Sequence, residues 1–493
     1  MNLNKIIITL SVFFVLATSC SNFDDLNIDP VRLDNANPGS FLNPVLYHVS
    51  SYNWLRYNNF TLPLMQLQVS TNSSNGLGWY FVSDAAGDGS WTTYYRWLNN
   101  IIIMEQSAIE LNEPNYQAIG MVLRSFIFHI LADSYGNVPM TEACKGSEKV
   151  FTPKFDDQKA IYRQILNDLK DANGLFNTEA SGFGAGLRYN QDGDFLYGAG
   201  TASAASALAI GNWKKFCNSI RLRVLLRVID VAEFNAAQEI RTILSDTGTY
   251  PIFESNDEAA FLWISGMAPM EAPMPRYQDF SSYLVYSEFF VNTLKSWGVE
   301  NDYDPRLPYF ANRATNNGVS DYYGMPSGYE IQPAFSASSL NSGVGRCQGP
   351  VSVCLMSYAE IEFIKAELAQ RGLIQEDAGE AYQKGVTAAI QQWGLTVPAN
   401  YFENEFTEYD GTLERIMQQK FFALYFCDYQ QWFEHNRTGL PIIPRGDGVP
   451  SANQMPKRFK YPAALQRTNL KNYQEARDAM GGDDFSIKLF WQK

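Results

Sequence analysis

Histidine is almost missing from this chain: His48, His129 and His435 are the only three in 493 residues. No His-Glu-x-x-His pair occurs, which removes the common zinc-hydrolase arrangement. His129 sits in the apolar helical run "SFIFHILAD" and reads as a core residue. His435 closes a helix, where a polar terminal residue is the ordinary explanation, and His48 is isolated. The serine-hydrolase elbow Gly-x-Ser-x-Gly is absent as well. Cysteine is sparse, six in all with no Cys-x-x-Cys, so neither a zinc knuckle nor a thioredoxin-type pair is indicated. Positive charge is in deficit. Lys and Arg number 38 against 52 Asp and Glu, a net charge of −14, a poor surface for nucleic acid or anionic lipid. After the N-terminus no stretch offers 18 uninterrupted apolar residues, so no later transmembrane helix is expected.

The N-terminus itself is informative. Ile6–Ala17 is an apolar run behind Lys5, too short for a hydrocarbon core that needs roughly 20 helical residues. Positive, then apolar, then small is the layout of a secretory signal. The segment "LATSC" resembles a bacterial lipobox, in which the chain is cut before the cysteine and the thiol is acylated. Residues 1–19 are therefore assigned as a lipoprotein signal peptide, Cys20 as the lipidation site and 20–40 as a tether. Residues 41–493 are assigned as one helical domain. Asp24 and Asp25 lie in that tether as a solvated acidic stretch or an export mark.

Five cysteines remain. Cys347 and Cys354 bracket "CQGPVSVC" and are the candidate disulfide for an exported protein. Cys144, Cys217 and Cys427 read as small buried hydrophobes.

What the chain has in excess is aromatic: 28 Tyr, 32 Phe and 10 Trp, or 14%. Helical periodicity dominates. Helices are predicted over 91–112, 115–136, 156–173, 212–231, 232–246, 356–372, 376–394 and 412–437. Short connections fold several of them into antiparallel pairs. Small residues spaced around Tyr382, namely Ala381 and Ala388, suggest packing of the tetratricopeptide kind without a full repeat. The fold class is mainly α, a single domain of tetratricopeptide-like helix pairs with long loop-rich insertions.

Those insertions, 70–90, 179–200, 263–283 and 316–343, are rich in Gly, Ser, Asn and Pro yet carry aromatics. Ordered loops this long tend to be functional. Aromatic faces pack the C–H faces of sugars, and neighbouring Asn or Asp bonds their hydroxyls. The candidate ligand residues are Asn72, Trp79, Tyr80, Asp84, Tyr277, Tyr283, Tyr322, Tyr323 and Tyr329. For each, packing of its own loop on the scaffold is the plain alternative. "GFGAG" at 182–186 lacks the spacing of a phosphate cradle, and "DGD" at 192–194 reads as a turn.

With the helices placed, several segments resemble the SusD/RagB family of outer-membrane nutrient-binding lipoproteins. They are "LADSYGNVPMTEA" (131–143), "WKKFCNSIRLRVLLR" (213–227) and "SYAEIEFIKAEL" (357–368). "QKFFALYFCDYQQWFEHNRTGLP" (419–441) and the end "RFKYPAALQRTNLKNYQEARDAMGGDDFSIKLFWQK" (458–493) complete the set. The resemblance implies a lipid-anchored, cell-surface protein of Bacteroidetes-type outer membranes. It also implies a partner, a SusC-like TonB-dependent transporter, to which glycan or peptide is delivered. The matching motifs are scaffold in that family, so no ligand residue carries over. No catalytic residue, cofactor or metal is assigned; a structural calcium ion is left open. The rival reading is an anchored hydrolase acting on glycans through paired carboxylates. A purely structural surface protein is the third.

Overall fold

The computed structural model describes residues 37–71, 76–178, 186–190, 193–200, 204–274, 284–300, 302–341 and 351–492. Cys20, Asn72, Tyr277, Tyr283 and Cys347 lie outside them. The first helix, α1 (Gly39–Arg56), begins inside the last residues allotted to the tether. Next come β1 (Gln68–Ser70), α2 (Asp88–Glu110), α3 (Pro114–Tyr135), α4 (Gln158–Leu175), α5 (Ala204–Arg227) and α6 (Ala236–Ser245). The middle of the chain supplies β2 (Ala260–Ile264), β3 (Leu284–Tyr286), α7 (Glu288–Ser296), β4 (Ala314–Asn316) and β5 (Val319–Asp321). After these come β6 (Val351–Met356), α8 (Tyr358–Gln370), α9 (Ala378–Gln391), α10 (Leu413–Ala423), α11 (Gln430–Thr438) and α12 (Leu470–Ala479).

Helix pairs do form, with α2 against α3, α3 against α4 and α8 against α9. Ala381, Tyr382 and Ala388 are buried at the α8–α9 contact, where Gly385 lets the Phe363 ring approach closely. Among the described residues, α3 alone is long and apolar enough to cross a membrane, and it is a buried core helix. Caps are conventional: Asp157, Ser287, Ser357, Asp377 and Thr412 each accept a backbone N–H of the turn they open. The described strands form three two-stranded antiparallel ladders, β1 with β3, β2 with β6 and β4 with β5.

The helix expected over 412–437 is two helices. The chain leaves helical geometry at 424–429, with Phe426 and Asp428 at φ of 63° and 34°. Tertiary packing overrides propensity there. Phe426 stacks on Trp54 with centroids 5.8 Å apart, and Thr61 Oγ1 donates to the Asp428 carbonyl at 2.8 Å.

The break positions a buried network of charge. Arg227 Nε donates to Asp133 at 3.0 Å, its Nη2 donates to Gln430 at 2.7 Å, and its Nη1 pairs with Glu434. Lys420 Nζ donates to Glu434 at 2.7 Å. Arg437 forks onto Glu367 at 2.7 and 2.6 Å and also reaches Glu434 at 2.7 Å. Arg223 forks onto Glu360 at 2.7 and 2.6 Å. These side chains come from the first four motif segments quoted above, on α3, α5, α8, α10 and α11. The motifs are thus a set of mutually neutralising charges that fixes how the helices assemble. His129 belongs to the same region, fully buried with Nε2 3.0 Å from Asp133. His435 is half-buried, and desolvation pulls its pKa down to about 4.

Candidate functional site

The aromatic loops are drawn together by the small ladders. Ser70, two residues before Asn72, faces Leu284, the residue after Tyr283, in the β1–β3 ladder. The 322–340 segment is tied to β3 as well: Tyr286 N donates to Ser338 O at 2.8 Å and Met325 N to Tyr286 O at 2.9 Å. Glu288 N then donates to Met325 O at 2.9 Å, seating this segment on the N-terminus of α7.

Two aromatic clusters result. In the first, Trp79 is 1% exposed, donates Nε1 to Tyr329 O at 3.0 Å and meets the Tyr329 ring edge-on at 4.9 Å. Tyr329 is 7% exposed and donates its hydroxyl to Ser70 O at 3.0 Å. Tyr80 is left-handed at φ 55° and carries the Arg445 guanidinium 5.9 Å above its ring. Burial pushes its hydroxyl pKa up. In the second cluster Tyr322, 5% exposed, lies edge-on to Tyr303 at 5.5 Å beneath Arg313 at 5.1 Å. Tyr323 is half-buried and 5.8 Å from Lys295 Nζ. Asp84 joins neither cluster; it is highly exposed and pairs with Lys460 at 2.8 Å.

Buried rings cannot stack on a sugar, so Trp79, Tyr322 and Tyr329 serve here by positioning loops. Trp79→Ala is expected to cost about 3–5 kcal/mol of stability, the scale for a buried large aromatic; urea unfolding reads it. Tyr323→Ala, at a half-buried ring, should leave the unfolding midpoint nearly unchanged.

A groove of about 490 Å³ lies nearby, lined by none of these cluster aromatics. Its floor is α7, with Glu288, Phe289, Asn292 and Thr293 facing it. Pro326 and Ser327 form one wall; Ile442, Pro444, Arg445 and Gly446 form the other. Phe289 is held from behind by Phe421 and Phe422, with centroids at 6.0 and 6.2 Å. Lys295 follows Glu288 and Asn292 at helical spacing, so Tyr323 stands toward one end of this floor. Arg445 is fixed by two backbone carbonyls, Pro450 O at 2.6 Å and Asn453 O at 2.8 Å.

The walls touch through backbone. Gly448 N donates to Gly328 O at 2.9 Å, and a Cβ on Gly446 would stand 1.8 Å from Ser327 O. Asn453 Nδ2 adds a bond to Trp79 O at 3.0 Å. Sequence reading missed the 441–450 wall, although "PIIPRGDGVP" is rich in Pro and Gly around an arginine. It missed the α7 floor because Glu288, Phe289, Asn292 and Thr293 sit on an ordinary amphipathic helix.

The groove offers one aromatic ring, Phe289, on its floor with a fixed guanidinium, a carboxylate and an amide, the mixture that binds hydroxyl-rich ligands. Among the described residues no three His, Cys, Asp or Glu gather as for a metal ion. Asp194 of the "DGD" stretch instead accepts the backbone N–H groups of Leu196, Tyr197 and Ala199, consistent with a turn. Cys354 is buried against Cys427, and Cys347, its expected disulfide partner, lies outside the described residues.

A SusD-like family, described as starch-binding and associating with the outer membrane, matches residues 30–462. This chain belongs to that family. Solved structures agree on the fold. A chitin-binding protein superposes with TM-score 0.76 at 22% identity, covering 92% of this chain and 99% of its own. A SusD homologue from Bacteroides fragilis gives 0.73 at 21%, covering 93% and 99%. Another from Bacteroides uniformis gives 0.73 at 19%, covering 93% and 100%. No curated protein matches the chain.

Proposed function

We propose that this SusD-like protein is a non-enzymatic binding subunit. It captures a glycan in the α7 groove at the cell surface and hands it to a SusC-like TonB-dependent transporter. The observation that carries the reading is the groove itself: Phe289 on the α7 floor beside a fixed arginine, walled by two loops. Family membership supports a glycan rather than a peptide, and the chitin-binding relative points the same way.

The hydrolase alternative calls for two carboxylates facing one cleft. Among the groove's described lining residues Glu288 is the sole carboxylate. The strongly interacting buried acids Glu367 and Glu434 are neutralised in the core. Delivery to a transporter is supported by exposed Phe81, Ile331 and Ile442, large apolar side chains on three loops of this end.

Calorimetric titration of residues 21–493 with starch, chitin and peptide oligomers tests the reading, with product analysis in parallel. Binding of an oligosaccharide without turnover is expected; product release at enzyme-like rates sinks it. Arg445→Ala is expected to weaken binding by about 2 kcal/mol, roughly thirtyfold in Kd. An unchanged Kd removes Arg445 from the site. The anchor is tested separately: Cys20→Ser should move the protein from the membrane fraction to the soluble one.

A further inference from the structure

Two thiols unused by the binding groove meet in the core. Cys354 lies on β6, and Cys427 lies in the break between α10 and α11. They are 2% and 0% exposed and form a small cluster with Leu424, against which Phe261 packs. Cys427 Sγ lies 3.8 Å from the carbonyl oxygen of Leu355, the residue next to Cys354 on β6. Cys427 is bracketed by Phe426 and Asp428, both at positive φ, a conformation that L side chains rarely adopt. That turn is pinned from outside by Trp54 and Thr61, which holds the Cys427 side chain against the strand. Metal binding does not account for the pair, since no third ligand joins them among the described residues. As a member of an outer-membrane family the chain crosses the cell envelope, a compartment where disulfides form.

We propose that Cys354 and Cys427 are joined by a disulfide, made by thiol–disulfide exchange while the chain folds in the envelope. The oxidant is a disulfide, either of an envelope oxidoreductase or of a small-molecule thiol. One cysteine thiolate attacks a donor sulfur and expels the first donor thiol. The second cysteine thiolate then attacks the mixed disulfide and expels the other. Two thiols are oxidised, one donor disulfide is reduced, and the two cysteine protons end on the donor thiols. The timing follows from burial. Contact with the Cys354 thiol, together with burial, holds the Cys427 thiol protonated and out of reach once the core has closed. The bond closes a loop of about 70 residues, long enough to constrain the unfolded chain strongly. It also ties the β2–β6 ladder to the turn from which the charge network's last helix departs.

Full-length protein recovered from the envelope, alkylated in denaturant without reductant and digested with trypsin, gives the answer. The expected product links the peptide holding Cys354 to the peptide holding Cys427, lighter by two hydrogens than the sum of the two, and it disappears on reduction. Cys347 shares the first peptide, so Cys347→Ala is mapped in parallel and must retain the link. Cys354→Ala must lose it and leave Cys427 alkylated. Recovery of both thiols alkylated, or a Cys347–Cys354 link within one peptide, overturns the proposal.

Discussion

Glu434→Gln is expected to lower the unfolding free energy by about 3–5 kcal/mol, the cost of removing one partner from a buried ion network. Glu434 is 6% exposed and neutralises Arg227, Lys420 and Arg437 together. Glutamine keeps the shape and loses the charge. Only Asp133 and Glu367 then remain beside these three cations, in a place water cannot reach to compensate. Burial alone would raise the Glu434 pKa, but Arg437, Lys420 and Arg227 overcome it and hold the carboxyl well below 4.5. Glu367 is lowered in the same way, against burial, by Arg437.

The sign of the pH dependence follows. A carboxyl depressed in the folded state contributes stability that is fully present above its unfolded pKa near 4.5. That stability is lost as pH falls through the folded value. Wild-type stability should therefore decline below about pH 4.5, and Glu434→Gln should decline less steeply from a lower plateau. Urea unfolding at pH 7 and across pH 3–6 measures both. A variant within 1 kcal/mol of wild type at pH 7 would show that the network fixes geometry without contributing stability.

How much of this was legible beforehand depends on whether the signal was local. Periodicity located the scaffold to within a few residues, as at 91–112 against Asp88–Glu110 and 356–372 against Tyr358–Gln370. It carried the helix through 424–429 because the cause of the break, Trp54 and Thr61, lies far back in sequence. The first helix was not read at all. It holds Pro44, and its apolar positions lie on no single face. Asn317-Gly318 at φ 50° and 79° closes the β4–β5 hairpin, a local signal hidden inside what read as one long loop.

The described candidate aromatics of the loops are packed, and the same chemistry serves stacking on a ligand and stacking on a neighbour. Trp79 and Tyr329 are engaged with each other, and nothing in either segment alone distinguishes that from an open shelf. The groove residues come from 288–293, 326–327 and 442–446. Their convergence is a property of the ladders and backbone crossings, not of any local pattern.

The second large effect concerns those crossings. Gly446→Ala is expected to reduce glycan affinity by at least tenfold while costing about 1–3 kcal/mol of stability, the scale of overpacking. The added methyl would sit 1.8 Å from Ser327 O and 2.4 Å from Gly328 O. Both obstacles are backbone atoms, so no side-chain rotation relieves the contact, and one wall must move away from the other. Arg445 would move with Gly446 and shift relative to the α7 floor, where a displacement of about 1 Å is enough to spoil a fixed geometry. The charge network lies in the helical scaffold and should be untouched. Loss of affinity should therefore accompany a cooperative unfolding transition with unchanged m-value. Alanine at Gly411, whose Cβ direction is open but whose φ is 80°, supplies the control. It strains the backbone away from the groove and should leave the Kd at its wild-type value. Equal loss of binding in both variants would mean that affinity merely follows stability. Loss in Gly446→Ala alone locates the binding surface at the seam between the 326–329 and 442–449 loops.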